Sequence, residues 1–293
     1  MPLHVATRAD DADKHEFDVN QLIYHKGKVY SGADDGKIKM WAPDLKFLKE
    51  VQAHPCSIFS ITANDNTIYS CSNDGTVKGW ELETLKEKKL FLEDKEVEFW
   101  RVKHDKGVLY IGDDQGNLRI YKNCETFYGS INVAIPVKDL AIKDNLIFAA
   151  KDNDVIVTDL HLQGEKPQFG IKATIMGRGP LALVDDKAIF MSREGKDIIV
   201  NQIMEQQHFK EIARVAGAHD MIINGATAVN WDGNALLFTA GWDKLIKQWK
   251  VANDSLKLDG SCTIDFIVNT MVYGDKGQVY VAGGDGHVAR LDL

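Results

Sequence analysis

Residues 15–41 read HEFDVNQLIYHKGKVYSGADDGKIKMW, and the pattern of this stretch recurs along the chain. Its marker residues are a His, a Ser or Thr, an Asp and a Trp, separated by 16, 4 and 6 residues. Three copies are complete: His15, Ser31, Asp35 and Trp41; His54, Ser70, Asp74 and Trp80; His219, Thr239, Asp243 and Trp249. Only the first interval of the third copy differs, at 20 residues. Self-similarity with a period of about 40 residues indicates a repeat architecture.

The same stretch predicts short antiparallel strands. An apolar strand at 19–24 meets a Lys-Gly turn, a second strand covers 28–31, and a third follows an Asp-Asp-Gly turn at 37–41. A fourth strand at 47–52 leads into the next unit. Short β-prone runs separated by Gly and Asp are hairpin signals, because these residues tolerate positive φ. Four antiparallel strands in 40 residues describe one blade of a β-propeller.

The turn position of each unit allows the blades to be counted. It falls at Asp35, Asp74, Gln115, Asn153, Asp243 and Asp285, in steps of 39, 41, 38, 90 and 42 residues. The step of 90 spans two units, and residues 188–201 fit a degenerate blade between them. The sequence therefore predicts one all-β domain over 1–293, with seven blades at approximately 9–52, 53–92, 93–133, 134–175, 176–216, 217–264 and 265–293 plus 3–8.

The N-terminus has a predicted role in closing the ring. The last unit ends at Leu293 after only three strands, whereas residues 3–8, LHVATR, are β-prone and precede the first blade. An open ring would leave unpaired strand edges, which β proteins tend to avoid. We therefore expect residues 3–8 to form the missing outer strand of blade seven.

Composition limits the classes of function. The formal net charge of −8 repels polyanions, so nucleic-acid binding through bulk electrostatics is disfavoured. The four cysteines lack CxxC spacing, which argues against a zinc site or a disulfide framework and fits a reducing compartment. No run resembles a signal peptide or a membrane span. We expect a cytoplasmic protein, with the nucleus as the open alternative, and neither a metal nor a cofactor.

The repeat resembles the WD40-repeat family over essentially all 293 residues. In that family the four marker residues form a structural tetrad, so the resemblance implies that blades one, two and six carry complete tetrads. Blade three has Gln115 and Tyr121 in the Asp and Trp positions, blade four has Asn153 and Asp159, and blade seven keeps only Asp285. A nucleophilic Ser-His-Asp triad is the competing interpretation. It is disfavoured because the set occurs three times, each time with the same tryptophan.

The resemblance also implies a binding surface on the narrower face of the ring, over the central channel. The predicted partner-binding residues are Asp18, Asp34, Phe59, Glu98, Trp100, Asp114, Asp152 and Trp242. Large aromatic side chains on a solvent face are common anchors of interaction hot spots. Carboxylates beside them would suit a basic or methylated-lysine side chain. Packing of Trp100 or Trp242 against neighbouring blades remains the alternative.

Two functional hypotheses follow from these observations. The preferred one is a non-catalytic scaffold or adaptor, a monomeric propeller that binds protein or peptide partners within a larger complex. The alternative is a metal-dependent, lactonase-like hydrolase in which carboxylates on several innermost strands converge on one ion. Asp18, Asp114 and Asp152 are its candidate ligands by position.

Overall fold

The computed structural model describes residues 3–204, 209–252 and 254–293. Within them, 28 strands form seven four-stranded antiparallel sheets, and the only helical turn is the 3₁₀ turn Gly284–Gly286. The first strand of each sheet contacts the first strand of the next, and that of the last sheet contacts that of the first. The predicted seven-bladed β-propeller is therefore confirmed. No helix in the described residues is long and apolar enough to cross a membrane.

The blades follow one another along the chain, each from its innermost to its outermost strand. Blade one consists of β2 (Val19–His25), β3 (Lys28–Ala33), β4 (Lys37–Trp41) and β5 (Phe47–Gln52). Blade two consists of β6 (Ile58–Ala63), β7 (Thr67–Ser72), β8 (Thr76–Glu81) and β9 (Glu87–Glu93). Blade three consists of β10 (Phe99–Asp105), β11 (Val108–Asp113), β12 (Asn117–Lys122) and β13 (Thr126–Asn132).

The remaining blades have the same order. Blade four consists of β14 (Asp139–Lys143), β15 (Leu146–Ala150), β16 (Asp154–His161) and β17 (Gln168–Met176). Blade five consists of β18 (Arg178–Val184), β19 (Lys187–Met191), β20 (Ile198–Ile203) and β21 (Phe209–Val215). Blade six consists of β22 (Ile223–Trp231), β23 (Asn234–Gly241), β24 (Leu245–Val251) and β25 (Leu256–Thr263). Blade seven consists of β26 (Val268–Tyr273), β27 (Gln278–Gly283), β28 (Val288–Asp292) and β1 (His4–Arg8).

The N-terminal strand closes the ring, as the sequence predicts. β1 pairs antiparallel with β28, with His4 opposite Asp292 and Val5 opposite Leu291. Leu3, just before the strand, is 5% exposed and packs in the core between blades six and seven. β21 forms the outer strand of blade five, and residues 205–208 before it lie outside the described residues.

The core lies between neighbouring blades rather than at a single centre. Between blades one and two, for example, Tyr30 and Ile38 pack with Ile58, Ile61 and Trp80. Each sheet therefore buries apolar side chains on both faces, and burial of apolar area is the main stabilising contribution to such a fold. The innermost strands instead line a central channel of about 370 Å³ with mixed polar and apolar side chains. We call the face at which these innermost strands begin the top face.

Candidate protein-interaction surface

In blade one, a chain of hydrogen bonds runs from Trp41 to Asp35. Trp41 Nε1 donates to Ser31 Oγ over 2.9 Å. Ser31 Oγ lies 2.7 Å from His15 Nε2, and His15 Nδ1 lies 2.9 Å from Asp35 Oδ2. Because a carboxylate only accepts, His15 Nδ1 carries a hydrogen and donates it to Asp35. With a neutral imidazole, Nε2 then accepts from the Ser31 hydroxyl, and every bond runs in one direction from Trp41 to Asp35.

The same chain recurs in blades two and six. In blade two, Trp80 Nε1 and His54 Nε2 each lie 2.8 Å from Ser70 Oγ, and His54 Nδ1 lies 3.0 Å from Asp74 Oδ2. Blade six has the corresponding distances of 2.9, 2.9 and 2.8 Å among Trp249, Thr239, His219 and Asp243. The structure thus brings together all twelve residues of the three sequence copies.

Burial and hydrogen bonding shift the pKa of some of these residues. Removal of water from the imidazolium lowers the pKa of His15 and of His219 below the usual value, against the opposing effect of their aspartates. Burial alone would raise the pKa of Asp74, but hydrogen bonds from His54 and Thr76 outweigh it and lower that pKa to about 2. A neutral histidine beside an ionised aspartate fits the one-directional chain.

This arrangement leaves no nucleophile for catalysis in the tetrads. The hydroxyl residues Ser31, Ser70 and Thr239 are all 0% exposed, and each hydroxyl is occupied between an indole and an imidazole. A catalytic Ser must reach substrate. The tetrads instead connect the loop before each blade to the third strand of that blade, so their role is structural.

A lysine two residues before each tetrad tryptophan is a fifth recurring member, which was not predicted from the sequence. Lys39, Lys78 and Lys247 each donate from Nζ to a backbone carbonyl of the loop just before the tetrad histidine, over 2.5–2.9 Å. The signal was present in the sequence, since the spacing to Trp is the same in all three copies. In blade three the equivalent residue is Arg119, which instead pairs with Asp94 at 2.6 Å.

The candidate binding surface is a cavity of about 400 Å³ at the mouth of the channel on the top face. It is lined by residues near the start of the innermost strands: Asn20, Phe59, Trp100, Arg101, Lys138, Asp139, Arg178, Gly179, Pro180, Asn224 and Asn269. Lys151 and Asp152 join them from the turn between β15 and β16. We call this set the mouth cavity. It contains three of the predicted partner-binding residues, namely Phe59, Trp100 and Asp152.

An aromatic pair from two blades forms one wall of the mouth cavity. The Phe59 and Trp100 rings meet edge to face, with centroids 5.7 Å apart. Trp100 Nε1 donates to Glu98 Oε2 over 3.0 Å, and Lys138 Nζ lies 5.7 Å from the Trp100 ring centroid. Both rings are half-buried, so they combine a fixed orientation with remaining accessible surface. Fixed aromatic rings with free surface are typical of interaction anchors.

The predicted carboxylates on the top face are engaged within the protein. The Asp18 carboxylate accepts from the backbone N–H of Asp285 over 3.0 Å, and Asp34 accepts from Asn20 over 2.6 Å. Asp114 accepts from the backbone N–H of Glu98, which itself accepts from an indole. Asp152 is paired with Lys138. A positive charge from this chain therefore already lies against Trp100, where the sequence predicted one from a partner.

Several predicted residues lie outside the mouth cavity. Asp18, Asp34, Glu98, Asp114 and Trp242 do not line it. Trp242 is 41% exposed and follows β23, so it forms a separate apolar position. The three carboxylates of the hydrolase hypothesis do not converge, because each is held by a different partner: Asp18 by the N–H of Asp285, Asp114 by the N–H of Glu98, and Asp152 by Lys138. Among the described residues, no three His, Cys, Asp or Glu side chains form a group that could hold a metal ion.

A polar network across four blades supports the mouth cavity, and its two central members were not predicted from the sequence. Arg101 donates from Nη1 to the Phe59 carbonyl over 3.1 Å, and its Nε lies 3.4 Å from Asp139 Oδ1. Asp139 Oδ2 accepts from the backbone N–H of Leu181 over 2.8 Å. The innermost strands of blades two to five are thereby connected. The sequence did contain a signal for this pair. Arg101 and Asp139 lie about one repeat apart, each at or near the start of an innermost strand.

One family model and one curated protein match parts of this sequence. Residues 45–81 match the family model described as "WD domain, G-beta repeat". The ubiquitin homeostasis protein lub1 of Schizosaccharomyces pombe (strain 972 / ATCC 24843) is 35% identical over 68 residues, which are 22% of this chain and 10% of that protein. The match thus spans about a tenth of the relative's length.

Solved structures match the fold over nearly the whole chain. The WD40 β-propeller domain of Doa1 superposes with a TM-score of 0.79 at 17% identity, covering 99% of this chain and 97% of that one. The computationally designed Ika8 protein superposes with a TM-score of 0.69, also at 17% identity, with 99% of both chains covered. At this level of identity the similarity concerns the fold.

Proposed function

Since this chain carries a WD40 repeat within a seven-bladed propeller of the WD40 fold, we propose that it acts as a non-catalytic scaffold. In this proposal it is a monomeric propeller that binds protein or peptide partners on its top face, as a cytoplasmic member of a larger complex. WD40 propellers generally bind protein partners, and the family is typically non-catalytic.

The mouth cavity is the observation that carries the proposal. Two aromatic rings from neighbouring blades, Phe59 and Trp100, stand half-exposed beside a concave space of about 400 Å³. None of the three tetrads uses either ring. Binding energy at protein interfaces is concentrated in a few aromatic and Arg residues set in such pockets. The tetrads, by contrast, are buried and fully engaged within the blades.

The contacts of the top-face carboxylates bear on the expected charge of the partner. A basic partner side chain would need free carboxylates, but those predicted for this purpose accept hydrogen bonds or ion pairs within the chain. Lys138 also lies over Trp100. We therefore base the proposal on the aromatic pair. The basic or methylated-lysine partner expected from the sequence stays a prediction, which binding of an acidic partner at the mouth cavity would contradict.

Affinity capture with matched variants tests the proposal. The Phe59→Ala, Trp100→Ala double variant should lose its specific partners, with affinities weakened roughly 30-fold or more, as for interface hot spots. Trp231→Ala is the control, since Trp231 is 36% exposed but ends β22 at the opposite face. Thermal melts must first show that both variants fold. Identical partners and affinities for the double variant and the wild type would refute the proposed surface.

A second candidate function follows from the matching relative, whose name refers to ubiquitin homeostasis. We propose ubiquitin as the first defined partner to be tested on the mouth cavity. Titration into isotope-labelled ubiquitin should perturb its amide resonances with the wild type, and much less with the Phe59→Ala, Trp100→Ala variant. An absence of perturbation with the wild type would remove ubiquitin and leave the general scaffold function intact.

A further inference from the structure

The mouth cavity has an excess of positive charge, opposite in sign to the whole protein. Its lining includes four cations, Arg101, Lys138, Lys151 and Arg178. It includes two carboxylates, Asp139 and Asp152. The protein carries a formal net charge of −8, so this local excess does not reflect the overall composition.

Three of these four cations have partners within the chain. Arg101 is paired with Asp139 at 3.4 Å, and Lys138 is paired with Asp152. Lys151 lies 3.5 Å from Asp154 in the turn next to the cavity. These pairs account for both carboxylates of the lining.

Arg178 is the exception. Its guanidinium has no hydrogen-bond or ion-pair partner anywhere in residues 3–204, 209–252 and 254–293. It is half-buried at the first position of β18, where its backbone pairs with that of Met191. Its stem runs beside Gly195, at which a Cβ would lie 3.6 Å from Arg178 Cδ. A half-buried cation without a counter-charge retains a strong preference for an anion.

A second polar side chain of the mouth cavity, in the adjacent blade six, also lacks a hydrogen-bond partner among the described residues. Asn224, the second residue of β22, also lines the mouth cavity, and its amide has no partner in the described part of the chain. An amide N–H in the same cavity as the guanidinium adds a further donor for an anionic oxygen. The aromatic wall of Phe59 and Trp100 borders the same space and offers apolar contact rather than charge.

We propose that the mouth cavity binds an acidic peptide segment of a protein partner, in which a carboxylate side chain adjoins an apolar one. Arg178 receives the carboxylate, because a guanidinium is always charged and binds carboxylate oxygens in a planar, two-pronged geometry. The apolar neighbour packs on Phe59 and Trp100. The inference rests on the proposed scaffold function and specifies its partner chemistry.

Selection of peptide ligands tests this inference without a known partner. A displayed library of random peptides is selected on the full wild-type chain, and the affinities of the enriched peptides are measured by fluorescence anisotropy. Asp or Glu beside an apolar residue should be enriched. Arg178→Gln should weaken their binding roughly 10-fold or more, as expected for loss of a charge-assisted hydrogen bond. Changing the peptide's acid to its amide should weaken wild-type binding similarly.

Arg214→Gln is the matched control. Arg214 belongs to the same blade but lies on its outer strand, where it pairs with Glu211 at 2.8 Å. Its substitution changes the net charge equally while leaving the mouth cavity intact. If Arg178→Gln and Arg214→Gln weaken acidic peptides to the same extent, the effect is bulk electrostatics and the inference is wrong.

The remaining outcomes separate this inference from the scaffold function. A different result would be enriched peptides that lack acids and bind Arg178→Gln but not Phe59→Ala. That result would overturn the assignment of an acidic partner and keep the binding surface. Peptides insensitive to both variants, or a failure to enrich any peptide, would count against both proposals. Equal competition by a short single-stranded oligonucleotide would show a general polyanion site and overturn the peptide assignment.

Discussion

Arg101 Nε lies 3.4 Å from Asp139 Oδ1, and this pair connects the innermost strands of blades three and four at the mouth of the channel. The network extends to blades two and five, through the Phe59 carbonyl and the Leu181 N–H. The aromatic wall and the neighbouring cations are therefore positioned by contacts between blades, and not by any one sheet.

The Arg101–Asp139 pair should contribute measurably to stability. Arg101→Met leaves the Asp139 carboxylate with backbone donors only, and we expect it to lower the free energy of unfolding by about 1–2 kcal/mol. The loss is moderate because both side chains are about a quarter exposed. Urea unfolding of Arg101→Met, Asp139→Asn and the double variant gives the coupling energy. Fully additive effects would show that the two residues do not interact.

The tetrad hydroxyl should be among the most sensitive polar positions. Ser31→Ala removes the acceptor for Trp41 Nε1 and the donor to His15 Nε2, so two buried polar groups lose their partner. We expect a loss of about 2–4 kcal/mol in urea unfolding. Ser57→Ala is the control, since the half-buried Ser57 hydroxyl has no hydrogen bond in the described residues. Equal stability of the two variants would contradict the tetrad's structural role.

Stability should fall on acidification in two stages. His15 and His219 have a pKa below the ordinary 6.5 in the folded state, so as pH falls through 6.5 the unfolded chain binds more protons and is stabilised relative to the folded chain. The Asp74 pKa, lowered from 3.8 to about 2, adds a second loss as pH falls through that window. Urea midpoints measured against pH check both stages. A constant midpoint between pH 7 and 5 would rule out the histidine contribution.

The recurring lysine should be structural rather than merely solubilising. Lys78 Nζ donates to the Ala53 carbonyl over 2.9 Å, and lies 5.8 Å from the Trp80 ring centroid. Lys78→Met keeps the apolar stem but removes the donor, and we expect a loss of about 1–2 kcal/mol. Lys46→Met, at an exposed position, should change stability by less than about 0.5 kcal/mol. Thermal melts of the two variants provide the comparison.

Removal of residues 1–8 should destabilise the whole ring, because it exposes the edge of β28 and the apolar surface covered by Leu3. Circular dichroism melts should show a clearly lower midpoint for the truncated chain. Arg8→Ala separates the strand from its side chain, since it removes only the exposed ion pair with Asp265 and should cost less than about 1 kcal/mol. Matching melts for truncated and full chains would refute closure by β1.

The fold was predictable because each blade carries the same local sequence pattern. The spacing of His15, Ser31, Asp35 and Trp41 reappears at one period, and each unit carries its own turn signals. Strand ends were less accurate: β3 continues to Ala33, two residues beyond the predicted end, because its pairing with β2 extends to Val19. The ends of a strand depend on how far it pairs with its neighbour, and the β-prone residues of one strand alone do not show that.

The mouth cavity was predictable only in part. Phe59 and Trp100 were found by their position at the start of innermost strands. The importance of Arg178 depends on where side chains from other blades lie, since the neighbouring cations have partners and Arg178 has none among the described residues. The same holds for Lys138, whose place over Trp100 follows from its pairing with Asp152. Charge counted along the sequence does not reveal which charges are already neutralised.

The pairing of β1 with β28 also has a mechanical consequence. The two strands are antiparallel, and His4 lies opposite Asp292, so the start of β1 and the end of β28 are side by side. If the start of β1 and the end of β28 were pulled apart, the hydrogen bonds between the two strands would break one after another, beginning at His4, rather than all at once. Under such a pull the ring would open first between β1 and β28, while the other six blades still hold their strands.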